Sequence, residues 1–246
     1  MVVYLLQKEV VMVKPIIGVV EWPYKDEDGD LIYEVLTPVI SKISLSGGQA
    51  MGIFPTQVED YQNKRLREIA PLTNAEIDDL DNILSMCDAI VKPGATKTYG
   101  YETYIYRYCY EHNIPYLGIC AGMQMMANYG RVIDNVRNED NGIAHHSKEE
   151  YAHKLKIIKN TLLYDILGKE EIMVNSKHNY HISSEGIHSI SAVSEDGIIE
   201  AIEAKDKEFQ LGVQWHPELL NDENTAKIFD ALVNEADVYR RVKKQH

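Results

Sequence analysis

Along most of the chain, short β-branched runs alternate with amphipathic helical stretches, and this alternation constrains the fold more than any single residue does. Such a pattern suits a mostly parallel sheet, because strands buried on both faces read as continuous apolar runs and the helices between them cover those faces. Residues 16–20 read as the first strand. Residues 36–46 carry apolar positions at helical spacing and stop at Gly47-Gly48, ahead of a strand at 51–54, so the three together form one βαβ unit. Pro55 closes that strand, and residues 56–72 are charged and irregular. Thr73-Asn74-Ala75-Glu76 then gives a capping-box start to a helix running to about residue 85. A strand at 87–91, a turn at Pro93-Gly94, a tyrosine-rich helix over 101–112 and a strand at 115–119 follow, and Cys120 stands where that last strand ends.

The second half reads differently, with short strands at 154–159, 172–175, 189–193 and 198–204. Glu195-Asp196-Gly197 between the last two is a hairpin signal. A strand at 209–214 leads into Trp215-His216-Pro217-Glu218, and a final helix covers 224–242. The expected architecture is therefore α/β: a mostly parallel central sheet with helices on both faces and a small antiparallel extension. Residues 13–246 form one domain on this reading. Met12 resembles a second start, so residues 1–12 read as an extension.

Composition narrows the function. The net charge is −13, and the basic cluster on a helix is confined to Arg240, Arg241, Lys243 and Lys244, which disfavours nucleic acid as a partner. The apolar start is cut short by Gln7, Lys8 and Glu9, too early for a spanning helix or a secretory signal, so no membrane role is expected. Three cysteines, Cys87, Cys109 and Cys120, fit neither a disulfide framework nor a zinc site and point to a reducing cytoplasm. Cys87 and Cys109 read as core. His145-His146 with His153 read as a solvated loop, and no metal is expected.

The chemistry concentrates at Gly118-Ile119-Cys120-Ala121-Gly122, a strand running into a nucleophile elbow with cysteine at its centre. A residue on such a sharp strand-to-helix turn is strained, and its neighbours two before and two after must lack side chains for the turn to close. The elbow also sets Cys120 at a helix N-terminus, where free N–H groups favour a thiolate and can stabilise an oxyanion. A buried structural cysteine is the plainer alternative; the paired glycines and Pro115 favour catalysis. The base is best supplied by His216, because Gln214-Trp215-His216-Pro217-Glu218 follows a strand and would reach the same carboxyl edge of a parallel sheet. Glu218, two residues on, can orient the imidazole.

GICAGMQ at 118–124, VNSKH at 174–178, DGIIEAIE at 196–203 and GVQWHPE at 212–218 resemble the class I glutamine amidotransferases. Their wording is most similar to the peptidase-like branch that contains γ-glutamyl-γ-aminobutyrate hydrolase. The resemblance covers roughly residues 13–233 and implies a flavodoxin-like sheet. It also implies a triad of Cys120, His216 and Glu218, and an oxyanion hole at Ala121 and the Gly94-Ala95 turn. Gln124, Ser176, Lys177 and His178 match positions that hold the glutamyl α-groups. It implies a small-molecule γ-glutamyl substrate and no cofactor. A homodimer stays open, as does a separate synthetase that would receive ammonia if the chain were a glutaminase subunit. A non-catalytic binding role is the third reading, and the complete triad argues against it.

The sequence departs from the branch in three places. Ala121 stands where a longer side chain is common. The turn Pro93-Gly94-Ala95-Thr96 has one glycine where two are usual, leaving one position free to take a positive φ. The short connection over 97–110 carries tyrosines at 99, 101, 104, 106, 108 and 110, which either line a rim for the leaving group or pack at the surface.

Overall fold

The computed structural model describes residues 13–55, 71–95, 100–129, 135–138 and 142–243. The expected extension at 1–12, residues 56–70 of the irregular segment, Thr96, Tyr99, Gly130 and Lys244 lie outside them. The apolar runs form the strands β1 (Ile16–Val20), β4 (Gln49–Ile53), β5 (Ala89–Lys92), β6 (Tyr116–Ile119) and β13 (Gln210–Val213), with the hairpin β2 (Trp22–Lys25) and β3 (Leu31–Glu34) between the first two. The strands later in the chain are β7 (Asn135–Arg137), β8 (His153–Ile157), β9 (Glu171–Val174), β10 (Tyr180–Ile182), β11 (Ser189–Ser194) and β12 (Ile199–Glu203). The helices are α1 (Thr37–Leu45), α2 (Asn74–Met86), α3 (Gly100–Glu111), α4 (Ala121–Ala127), α5 (Leu162–Leu167) and α6 (Glu223–Lys243).

One sheet of nine strands runs in the order β4-β1-β5-β6-β13-β12-β11-β8-β9. The first five are mutually parallel, and β12, β11, β8 and β9 continue it antiparallel. Alternate strand residues point to opposite faces, so the two cores can be read off the strands by parity. Ala89, Val91, Leu117, Ile119, Leu211 and Val213 join the core that packs on α1, α5 and α6. Val20, Ile90, Tyr116 and Ile202 face the core of α2, α3 and α4. The α/β architecture expected from the alternation is the one found.

Local chemistry sets the element ends. Thr73 Oγ1 accepts from the Glu76 N–H at 3.3 Å and the Glu76 carboxylate accepts from the Thr73 N–H at 2.7 Å, the reciprocal capping box that the sequence predicts. The turn after β11 places Gly197 at φ +85°, which closes the predicted hairpin. Helix α5 was not expected. Its signal is Thr161, whose hydroxyl accepts from the Tyr164 N–H at 3.2 Å, a cap too close to β8 to stand out from that strand's apolar pattern. The β2–β3 hairpin was also unexpected; Asp26 shapes its turn by accepting from the Asp28 and Asp30 N–H groups.

Candidate functional site

The parallel register assembles the site. Strand β6 lies between β5 and β13, with Gly118 paired to Lys92 on one side and Gly212 on the other. Their carboxyl ends therefore emerge together, and Pro93-Gly94, Cys120 and Gln214–His216 become neighbours from three separate stretches of chain. The Cys120 N–H donates to Val213 O at 2.8 Å, tying the elbow to the strand that leads to His216.

Cys120 adopts φ +52°, ψ −106° at the start of α4. A non-glycine residue held there costs roughly 1–3 kcal/mol and persists only where its surroundings enforce it. Both glycines of the elbow enforce it by close approach. A Cβ on Gly118 would sit 2.6 Å from the carbonyl carbon of Gly122, and one on Gly122 would sit 2.2 Å from Lys92 O. Lys92 in turn is buried, with its ammonium 2.9 Å from Glu102 Oε1 and donating to Pro93 O at 2.9 Å. This internal ion pair fixes the end of β5 against which the elbow closes. Sequence reading missed it, because a lysine ending an apolar strand ordinarily reaches solvent.

His216 follows β13 and Glu218 lies in the 3-10 turn Pro217–Leu219. Imidazole Nδ1 donates to Glu218 Oε1 at 2.7 Å, and Glu218 is 3% exposed. Burial lowers the pKa of His216, but the hydrogen bond with Cys120 and the hydrogen bond and charge of Glu218 outweigh it and raise the pKa to about 10. The backbone of His216 is clamped on both sides by Asn175, whose Oδ1 accepts from the His216 N–H at 2.9 Å and whose Nδ2 donates to His216 O at 2.7 Å. Asn175 sits inside the VNSKH segment, yet nothing in the sequence alone ties it to His216.

Gly94 is a glycine for space, and the freedom to take a positive φ goes unused. Its φ lies outside the left-handed region. A Cβ there would stand 2.7 Å from His216 Cε1 and 3.2 Å from Cys120 Cβ, so the backbone at 94–95 runs directly against both side chains. Ala121 opens α4 and is buried.

Gln124, one helical turn past the cysteine, donates to Gln214 Oε1 at 3.1 Å and to Tyr180 O at 3.0 Å, and accepts from Asn135 Nδ2 at 3.0 Å. Gln214 is fully buried and its amide approaches Cys120 Sγ at 3.5 Å. A row of side-chain amides thus leads away from the thiol, and Gln214 was not singled out from sequence. The Ser176 and His178 side chains have partners of their own. The Ser176 hydroxyl donates to His145 O at 2.9 Å, Lys177 is exposed, and His178 faces Tyr180 O, Asn138 and Glu200.

One expectation is corrected. His145 and His153 are not in a solvated loop: they are 3% and 5% exposed and lie with His178 and Glu200 in one buried group. Two strands and two connecting segments from different parts of the chain bring these four together, so no sequence spacing could reveal them. Of the two readings of the α3 tyrosines, the described ones pack and hydrogen-bond within the protein. Tyr101 and Tyr106 are buried, with hydroxyls on Glu21 O and His188 Nε2, Tyr104 and Tyr110 donate to Asp81 and Asp206, and Tyr108 stacks on His112. Cys87 and Cys109 are fully buried core as expected; burial raises the Cys87 thiol pKa to about 12 and pushes that of Cys109 well up.

A cysteine on a strained strand-to-helix turn, facing a histidine–carboxylate pair across the carboxyl edge of an α/β sheet, defines a hydrolase-type enzyme of the glutamine amidotransferase class. Residues 15–218 match Peptidase C26, and the chain belongs to that family. It is 30% identical to a glutamine amidotransferase-like protein of Rickettsia prowazekii, covering 54% of this chain and 64% of that one. It is also 30% identical to the CTP synthase of Flavobacterium psychrophilum, covering 46% of this chain and 26% of that enzyme. The chain thus spans less than two thirds of the length of either relative. The glutaminase domain of Trypanosoma brucei CTPS, solved with bound acivicin, shares the fold with a TM-score of 0.65 at 18% identity, covering 91% of this chain and 94% of that domain. Among the described residues no helix is long and apolar enough to cross a membrane.

Proposed function

We propose that this chain is a cysteine-dependent hydrolase of γ-glutamyl amide bonds in small molecules, releasing glutamate and an amine. The observation that carries this reading is Cys120, held at φ +52° between two side-chain-free neighbours and facing an imidazole that Glu218 orients at 2.7 Å. In this reading the Cys120 thiolate attacks the γ-carbonyl, forming the S–C bond and moving the carbonyl electrons onto oxygen. Backbone N–H groups of Ala121 and of the Gly94-Ala95 turn hold that oxyanion. His216, protonated at neutral pH by its raised pKa, gives its Nε2 proton to the departing nitrogen as the C–N bond breaks. The thioester remains until His216 takes a proton from water, whose oxygen then attacks and releases glutamate, restoring thiolate and imidazolium. No step calls for a cofactor.

Gln124 and Gln214 offer amide dipoles beside the thiol for a glutamyl chain. Ser176 and His178 turn their side chains inward, so their segment would meet the substrate through its backbone and through the exposed Lys177. A second reading, a glutaminase subunit passing ammonia to a separate synthetase, draws support from the CTP synthase relatives. Steady-state kinetics on the purified full chain separate the two. We expect at least one γ-glutamyl amine with a bulky leaving group, such as γ-glutamyl-γ-aminobutyrate, to be cleaved at higher kcat/KM than glutamine, because leaving-group contacts can act in the transition state and ammonia offers almost none. A clear preference for glutamine, or activity only with a synthetase added, would overturn the hydrolase reading.

A further inference from the structure

Away from the thiol, four buried side chains converge: His145 from the segment before β8, His153 on β8, His178 after β9 and Glu200 on β12. Glu200 is fully buried and the histidines nearly so. Glu200 Oε1 lies 3.3 Å from His145 Nδ1, 3.5 Å from His153 Nε2 and 3.5 Å from His178 Nε2. None of these contacts has hydrogen-bond geometry, and all three inward nitrogens and both Glu200 oxygens are left without a hydrogen-bond partner. Buried polar atoms are very rarely left so, and five facing one another call for an explanation.

The outward nitrogens supply it. His145 Nε2 is 3.0 Å from Asp196 Oδ2, His178 Nδ1 is 3.1 Å from Tyr180 O, and His153 Nδ1 faces Lys154 O at 3.5 Å. Carboxylate and carbonyl oxygens accept only, so where the ring is neutral a proton on the outer nitrogen leaves a lone pair on the inner one, although His178 Nδ1 also has the Asn138 amide at 3.3 Å. Three lone pairs then point at a carboxylate. That arrangement is repulsive unless positive charge sits among them, either a metal ion bound by all four groups or a proton on a ring such as His145, whose pKa burial lowers but Glu200 and Asp196 raise by more.

We propose that His145, His153, His178 and Glu200 bind a single divalent transition-metal ion, zinc by preference. Ligand atoms about 2.1 Å from a tetrahedral ion stand about 3.4 Å apart, the spacing Glu200 Oε1 already has to the three nitrogens. All the ligand atoms lie within 4.8 Å of one another, so the widest-spaced pair closes by up to about 1.4 Å on binding. Imidazole nitrogens select zinc-like ions over magnesium or calcium, and four protein ligands make a closed, structural site. Asp196 on the outer nitrogen of His145 is the carboxylate that metal-ligating histidines commonly engage. With Glu200 it balances the two positive charges. The ion staples the His145 and His178 segments to the sheet. Asn175, three residues before His178, clamps His216, so the staple also steadies the base without touching the reaction.

The test uses the full chain purified without a histidine tag. Elemental analysis should find zinc at one equivalent per chain. Stripping with a chelator should lower Tm by several degrees, and Co2+ added to the stripped protein should give the visible absorption of a tetrahedral site. His153→Gln and Glu200→Gln should each lose the zinc and the cobalt band. If a variant fails to fold, the cobalt spectrum of the wild-type chain decides alone. Folded wild-type protein that holds no metal and gives no cobalt band would overturn the proposal and leave a protonated His–Glu cluster. Equal binding by folded His153→Gln would likewise overturn it. Neither result bears on the hydrolase reading, which is judged by turnover.

Discussion

Gly94→Ala tests whether the turn after β5 and the two reacting side chains form one unit. The added Cβ would lie 2.7 Å from His216 Cε1, where ordinary carbon contacts begin near 3.5 Å, so about 0.8 Å must be recovered. The imidazole has little room to retreat, since Asn175 bonds its backbone at 2.9 and 2.7 Å and Glu218 holds Nδ1 at 2.7 Å. Cys120 Cβ, 3.2 Å from the same point, blocks the other direction. A displacement near 1 Å at the reacting atoms costs on the order of 100-fold in rate. The fold should tolerate the change, because Gly94 is not in the left-handed region and local overpacking costs about 1–3 kcal/mol. We therefore expect kcat/KM on the best γ-glutamyl amide to fall about 100-fold with Tm lowered by no more than about 10 °C. Activity within threefold of wild type would refute the inference that the turn packs against the reacting pair.

Cys120→Gly and Cys120→Ala should both abolish turnover, and the glycine variant should be the more stable of the two by about 1 kcal/mol or more, since glycine accepts φ +52° without strain; denaturant melts that rank alanine above glycine would mean the elbow is not strained. A glutamine-like electrophile should label Cys120 and spare the buried Cys87 and Cys109 until the chain is unfolded, and mass spectrometry finding all three modified in native protein would count against the site. His216 has a folded pKa raised to about 10 against an ordinary value of 6.5, so its contribution to stability is full below pH 6.5 and is lost as pH rises through 10. Unfolding free energy should accordingly fall more steeply between pH 7 and 10 in the wild type than in His216→Ala, and parallel slopes would contradict the ion-pair assignment.

Much of this protein is written locally. The parallel half follows from apolar runs such as Ile16–Val20 and Tyr116–Ile119, since strands buried on both faces must be apolar throughout, and the start of α2 follows from Thr73 and Glu76. The elbow was legible for the same reason: Gly118, Cys120 and Gly122 lie within one turn, so their mutual constraint needs no other part of the chain. His216 and Glu218 could be paired because they are two residues apart. What sequence could not supply were contacts that depend on strand order and register. Lys92 with Glu102, Asn175 with His216, Gln214 with Gln124, and His145, His153 and His178 around Glu200 are each joined across the sheet or between layers. Burial then decides their meaning. A lysine, an asparagine or a histidine read alone belongs to solvent, and only the packed sheet takes water away from it and leaves a specific partner in its place.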